Sequence, residues 1–340
     1  MELATWRGRF ISTVKYGVGI SVLAWVFYTT GIERTLDIIT QLSPITIMLV
    51  ICISSIGLFA RVSTWYVLVV FFTETDWKQL VTAKLVIKFV NSLFPSRLSG
   101  RVIAPLALRH FTGIGWNEAM AVTVAQTGFY AVLYGIVTLF GLSINLPMFD
   151  FELSALILLS AAGYMMVGGG VILAGWRLDL FNQVISALSR LCERLPRGTD
   201  VAAPIDKFRT KLLDGSEKQF QQITRDYRTV LLFITTWVIA LLIIPTLRIY
   251  VLLSASGITG VNLLLLPLYV VVSYSVTILP LTPGGIGVAE ATAVAVFITL
   301  GFPEAAIVSV VFLDRVFGVY IPSLLGWIPL ARTNFAELIN

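Results

Sequence analysis

Apolar runs long enough to cross a bilayer alternate along this chain with short polar joints, a rhythm that predicts a bundle of membrane helices. A helix needs ~20 apolar residues to cross the hydrocarbon. Runs of about that length or more fall at 45–72, 118–143, 154–175, 229–252, 262–281 and 304–330. Another, Tyr16 to Thr30, follows Arg7, Arg9 and Lys15, which suits a signal peptide or a retained first anchor. Tyr28-Thr29-Thr30-Gly31 lacks a small-x-small cleavage pattern, and that favours the anchor. Two shorter pieces, 80–95 and 286–301, end or begin at proline and glycine breaks and are expected as re-entrant helices or short tilted spans.

The sharpest interruption is Leu279-Pro280-Leu281-Thr282-Pro283-Gly284-Gly285-Ile286-Gly287-Val288-Ala289-Glu290. Proline stops a helix and glycine admits backbone angles closed to other residues, so a segment reaching Leu279 must break and restart near Ile286. Broken backbone at membrane depth survives only against protein or a water-filled cavity, which makes the stretch a candidate site lining. A tight turn between two helices fits the same residues. The pattern is echoed earlier: Leu93-Phe94-Pro95-Ser96-Arg97-Leu98-Ser99-Gly100 aligns with the segment from Ile278 to Gly285. Gly115-Trp116-Asn117-Glu118-Ala119 likewise matches Gly301-Phe302-Pro303-Glu304-Ala305. Paired interruptions in two halves point to a substrate site near the midplane of a transporter, with chance similarity as the competing explanation.

Composition narrows the class. With 57% hydrophobic and 13% charged residues in 340, and a mean hydropathy of +0.89, the chain lies far from the ~25% charged content of soluble domains. The expected fold is an all-α, polytopic integral membrane helical bundle of about seven to eight apolar segments. Two of these are related broken or re-entrant helices around Pro95 and Pro280. Residues 1–340 read as one transmembrane domain, with 177–228 as a basic amphipathic cytoplasmic linker. Within that linker, Phe208, Leu212, Phe220, Ile223 and Tyr227 recur among basic residues, an arrangement for lying on anionic lipid or capping the bundle. Twenty of the 24 Lys and Arg fall on one side if the amino terminus is cytoplasmic, so both termini are expected there, in a multi-pass protein of the cell membrane. That count puts Lys84 and Lys88 on the cytoplasmic face and Arg248 opposite.

The second half resembles the flippase-like family, also described as the lysylphosphatidylglycerol synthase transmembrane region or UPF0104 family. Leu279-Pro280, Pro283-Gly284-Gly285, Gly287 and Glu290-Ala291, followed by Arg315, are similar to its LP-x-x-PGG-x-G-x-x-EA stretch and later arginine. Asn91, Pro95, Arg97 and Gly100 follow its N-x-x-x-P-x-R-x-x-G pattern, but Arg101 stands where an acid is usual. The Glu-Arg pair usual in the next span is replaced by Ala125-Gln126-Thr127. The resemblance implies lipid handling: translocation of an anionic phospholipid or polyprenyl-phosphate lipid, or alternatively the membrane component of a glycosyl or aminoacyl transferase system. The assemblies it leaves open are a homodimer and a complex with a partner transferase.

No phosphate-binding loop, His/Cys metal spacing or nucleophile elbow is written in the chain, so no cofactor and no nucleic acid are expected, and enzymatic activity is disfavoured. Gly168-Gly169-Gly170 reads as close helix packing. What remains are charges amid apolar spans: Arg61, Glu290, Asp314 and Arg315. A charge at the bilayer centre costs ~2.5–3.5 kcal/mol or more, so each is a site candidate, although Arg61 could also snorkel to the interface. Asp314 and Arg315 point roughly 100° apart and need separate partners. Glu290 and Arg315, lying at similar depth on either side of Phe302, are expected to pair. An anionic head group is expected in a cytoplasm-facing cavity lined by Arg97 and Arg101, with Arg315 a further candidate.

Overall fold

The computed structural model describes residues 42–93, 99–177, 216–278 and 285–332, and the architecture is all-α, with no strand among them. The elements are α1 (Pro44–Val70), α2 (Trp77–Leu93), α3 (Ser99–Thr112), α4 (Trp116–Asn145), α5 (Phe151–Trp176), α6 (Ser216–Arg225), α7 (Tyr227–Val238), α8 (Ile244–Ala255), α9 (Leu266–Ser275), α10 (Val288–Thr299), α11 (Glu304–Arg315), α12 (Ile321–Leu325) and α13 (Trp327–Arg332). Among the described residues five continuous helices are long and apolar enough to cross a membrane: α1, α4 with its 3₁₀ extension, α5, Tyr227–Ala255 and Ala306–Arg332. The chain is a multi-pass membrane protein. The expected span at 16–30 lies outside the described residues.

Local chemistry sets the helix starts. Ser43 caps α1, its Oγ accepting the Thr46 N–H at 3.1 Å, and Pro44 occupies the first turn, where a missing N–H is harmless. Asp150 caps α5 in the same way through Leu153, and Asp226 caps α7 through Thr229. The Thr229 hydroxyl and N–H hold the Asp226 carboxyl below the usual carboxylate range.

Of the expected span at 262–281, the described residues form a helix that starts at Leu266 and runs to Ile278, with Val276–Ile278 as a 3₁₀ turn. Asn262 Oδ1 accepts the Leu264 N–H at 3.0 Å and Pro267 lies in the first helical turn; together these hold a turn at 262–265 and delay the helix. In each half a pair of described helices packs together: α2 on α3, and α9 on α10. The structural register of the repeat differs from the proline alignment. Gly113 and Gly301 both have positive φ, Gly115 and Pro303 are both N-caps, and both pairs are offset by 188 residues. In that register Pro95 corresponds to Pro283, and Gln126 and Thr127 correspond to Asp314 and Arg315.

The core follows this division. One cluster is drawn mainly from α1 to α4, α6 and α7, with Tyr164 and Val271 added, a second mainly from α8 to α11, with Val50 of α1, and Leu142, Ile157, Val272 and Val296 help join the halves. Within the former linker, α6 buries Phe220 and Ile223 against the bundle and packs on α4 and α5, so this part caps the helices. Of the glycine triplet, only Gly168 makes the close approach: a Cβ there would stand 2.7 Å from the Val132 amide nitrogen, whereas Gly169 and Gly170 face open space.

Candidate functional site

The restart after the break begins with two glycines in the left-handed region, Gly285 at φ 72° and Gly287 at φ 83°. They turn the chain into α10 and place Glu290 in its first turn, where Oε2 accepts the Gly287 N–H at 2.6 Å. The other carboxylate oxygen, Oε1, accepts Arg315 Nε at 2.7 Å and the Tyr320 hydroxyl. Arg315 is 1% exposed, with its guanidinium 5.6 Å and 5.5 Å from the ring centroids of Tyr274 and Tyr320. Its Nη2 finds no hydrogen-bond partner among the described residues, and the two aromatic rings stand beside the guanidinium.

Asp314 turns to a different helix. Arg248 Nη2 lies 2.6 Å and Nε 2.7 Å from Asp314 Oδ1, and the Tyr274 hydroxyl donates to Oδ2 at 2.9 Å. Arg248 and Asp314 are 3% and 2% exposed. Arg248 is thus inside the bundle, which overturns its expected place at the far face. Tyr274 links the two pairs, bonding Asp314 while its ring lies beside Arg315.

Two π-helical segments flank this network, Ile239–Ile243 and Val316–Tyr320, each followed within two residues by a proline, Pro245 and Pro322. Proline cannot donate to the carbonyl four residues back, which for Pro322 is Gly318. Lys88 Nζ from α2 donates to that Gly318 oxygen at 3.0 Å. The missing side chain of Gly318 also makes room for Arg248: a Cβ there would stand 2.7 Å from the guanidinium carbon.

On the other side of Lys88 opens a cavity of about 970 Å³, counted with its mouth. Three cations border it, Arg61 on α1 and Lys84 and Lys88 on α2, and Lys84 Nζ lies 4.6 Å over the Trp65 ring. Asn91, Gln126 and Tyr130 add polar groups, and Val319 and Leu241 bring both π segments to the wall. The buried indole N–H groups of Trp65 and Trp237, on two wall residues, find no acceptor among the described residues. No carboxylate belongs to the described lining. The arrangement suits an anionic group surrounded by N–H donors.

Of the expected site residues, Glu290, Arg315 and Asp314 converge at the buried network, with Gly285 and Gly287 at its entrance, while Asn91 borders the cavity. Gly100 and Arg101 lie in the first turn of α3, described for the backbone alone. Pro95, Arg97, Pro280, Pro283 and Gly284 lie outside the described residues. Arg315 faces Glu290 and does not border the cavity, a correction explained by its burial among Tyr274 and Tyr320. Lys84 and Lys88, counted from the sequence as charges of the cytoplasmic side, line the cavity, because α2 packs within the bundle against α3 and α12.

The fold and these buried ion pairs define a polytopic α-helical membrane protein with a basic internal cavity. Residues 12–326 match the family described as the lysylphosphatidylglycerol synthase TM region, and the chain belongs to that family. It is 22% identical over 260 residues, 75% of each chain, to a UPF0104 membrane protein of Methanothermobacter thermautotrophicus. A UPF0104 membrane protein of Pyrococcus horikoshii is 39% identical over 80 residues, 23% of each chain. No solved structure matches the chain.

Proposed function

We propose that the protein is a lipid translocase of the cell membrane, with both termini cytoplasmic, that carries an anionic head group through the basic cavity while the lipid tail stays in the bilayer. The observation that carries this reading is the placement of Arg61, Lys84 and Lys88 together in the lining of one cavity that has no carboxylate among its described residues. Guanidinium and ammonium groups suit phosphate oxygens, and a cavity lined by cations and by no described carboxylate draws anions toward it. Pro95, Arg97, Gly100, Arg101, Pro280, Pro283 and Gly284, expected as site residues from the sequence, remain part of this proposal. The π segments supply a means of movement, because helices interrupted beside proline can change direction without breaking a full ladder.

Purified protein in liposomes carrying fluorescent phospholipids or polyprenyl phosphates tests the reading, with movement between leaflets followed by quenching of the outer label. Accelerated movement of an anionic lipid supports it; movement at the rate of empty liposomes for every such lipid contradicts it. A covalently modified lipid formed on adding an aminoacyl or sugar donor would favour a membrane-embedded transferase.

A further inference from the structure

A second hollow, between α4, α5 and α6, shares no lining residue with the basic cavity. It is an apolar groove of about 820 Å³, counted with its mouth, and Ser216 is the one polar side chain among its described lining residues. Val124 of α4, Met166, Val167 and Gly170 of α5 and Phe220 of α6 shape it, and from Met166 to Ala174 α5 supplies ~12 Å of wall. The groove opens outward, since Met166 is 69% exposed and a Cβ on Gly170 would meet nothing within 4 Å. One end is shut. A Cβ on Gly175 would stand 2.7 Å from the Phe220 ring, so α6 closes the groove where α5 finishes.

That closed end is basic and aromatic. Trp176 and Arg177 directly follow the lining residue Gly175, and Lys218 lies between the lining residues Ser216 and Phe220. Arg225 stands 6.0 Å over the Trp176 ring. Arg177, Lys218 and Arg225 are all exposed, and none has a carboxylate partner among the described residues. Of the neighbouring acids, Glu217 accepts Gln221 Nε2 at 3.0 Å and Asp226 is taken up by the cap of α7. Tryptophan and basic residues at the end of an apolar helix mark the level of lipid head groups. We propose that this is a lipid site separate from the cavity: one anionic phospholipid of the surrounding leaflet lays an acyl chain in the groove and sets its phosphate against Arg177, Lys218 and Arg225, fastening the α6 cap to α5. The apolar walls select the chain, and the unpaired cations select an anionic head over a zwitterionic one, whose own cation would meet a positive rim. A second copy of the chain in the same orientation would instead bring an identical basic rim to the same depth. The site stands independently of the translocase reading, because it uses no residue of the cavity.

The test uses the full chain in phosphatidylcholine vesicles carrying a trace of phosphatidic acid, or of phosphatidylcholine, with a photoreactive diazirine on the same acyl chain. After irradiation the labelled residues are located by peptide mass spectrometry. Phosphatidic acid is expected to label the stretch Met166–Ala174 ~fivefold or more above phosphatidylcholine, the effect of one basic residue at an anionic surface. The triple variant Arg177→Gln, Lys218→Gln, Arg225→Gln is expected to equalise the two lipids. Gly170→Leu fills the open space without meeting a neighbour, so it is expected to stay folded and to lose labelling of the stretch by both. Equal labelling of the wild-type chain by the two lipids would mean contact with bulk bilayer alone and overturn the proposal. No labelling by either would mean that residues 178–215 or a second copy close the groove, and would overturn it as well. A preference that survives in the folded triple variant overturns the basic rim as the partner of the phosphate, and labelling unchanged by Gly170→Leu overturns the groove as the place of the chain.

Discussion

Replacing Glu290 by Gln tests the buried network where its geometry is most demanding. Arg315 is 1% exposed and its charge is met at 2.7 Å by Glu290, whose side chain is 16% exposed. Glutamine keeps an oxygen for Arg315 Nε and the Tyr320 hydroxyl, but it removes the charge and turns an amide N–H₂ toward the Gly287 N–H that now donates to Oε2. Stranding a buried charge costs ~3–5 kcal/mol, and Glu290→Gln should fall in that range. Arg315→Gln should cost less, ~2–3 kcal/mol, because the remaining carboxylate keeps Gly287 and Tyr320 as donors and reaches solvent. Equilibrium unfolding in mixed micelles gives the two single values and that of the double variant. If the pair interacts as drawn, the double variant is less destabilised than the sum of the singles by ~1–3 kcal/mol. Losses that add within ~0.5 kcal/mol would refute the coupling.

Other substitutions probe the neighbouring contacts. Asp314→Asn leaves Arg248 buried without its counter-charge and should cost ~3–5 kcal/mol, whereas Tyr274→Phe removes one hydrogen bond and should cost ~1–2 kcal/mol, both read by the same unfolding measurement. Gly318→Ala places a methyl against the Arg248 guanidinium and should destabilise by ~1–3 kcal/mol, with Arg248→Ala relieving the clash in the double variant. Pro322→Ala returns an N–H able to reach the Gly318 oxygen now held by Lys88; it should raise thermal stability and slow lipid movement between leaflets.

The helical class and the helix start just past Gly287 are legible from periodicity and from the glycines, because both are local properties of the chain. The meeting of Glu290 and Arg315 is legible too, since equal lengths on either side of Gly301-Phe302-Pro303 fix equal depths. The Arg248–Asp314 pair is not, because 66 residues separate the partners and no local pattern states which faces of α8 and α11 meet. Lys84 and Lys88 were masked by the charge count, which treats every lysine near an apolar segment as a loop charge. Their signal is the spacing: Lys84, Lys88 and Asn91 follow at i, i+4 and i+7, a polar stripe on one face of the helix, with Arg61 and Trp65 spaced alike on α1. The late start of α9 was missed because hydropathy carries through 262–265 while the Asn262 turn and Pro267 hold the backbone out of helix.

The central claim is that the wall of Arg61, Lys84 and Lys88 carries an anionic lipid head group, and its most direct test is leaflet-to-leaflet movement catalysed by the triple variant Arg61→Gln, Lys84→Gln, Lys88→Gln in liposomes. Rates are normalised to folded, reconstituted protein, so that loss of yield is not read as loss of transport. The account predicts that the wild-type chain accelerates movement of an anionic lipid and that the triple variant, folded and inserted, falls to the rate of protein-free liposomes. A triple variant moving that lipid as fast as the wild type would contradict it.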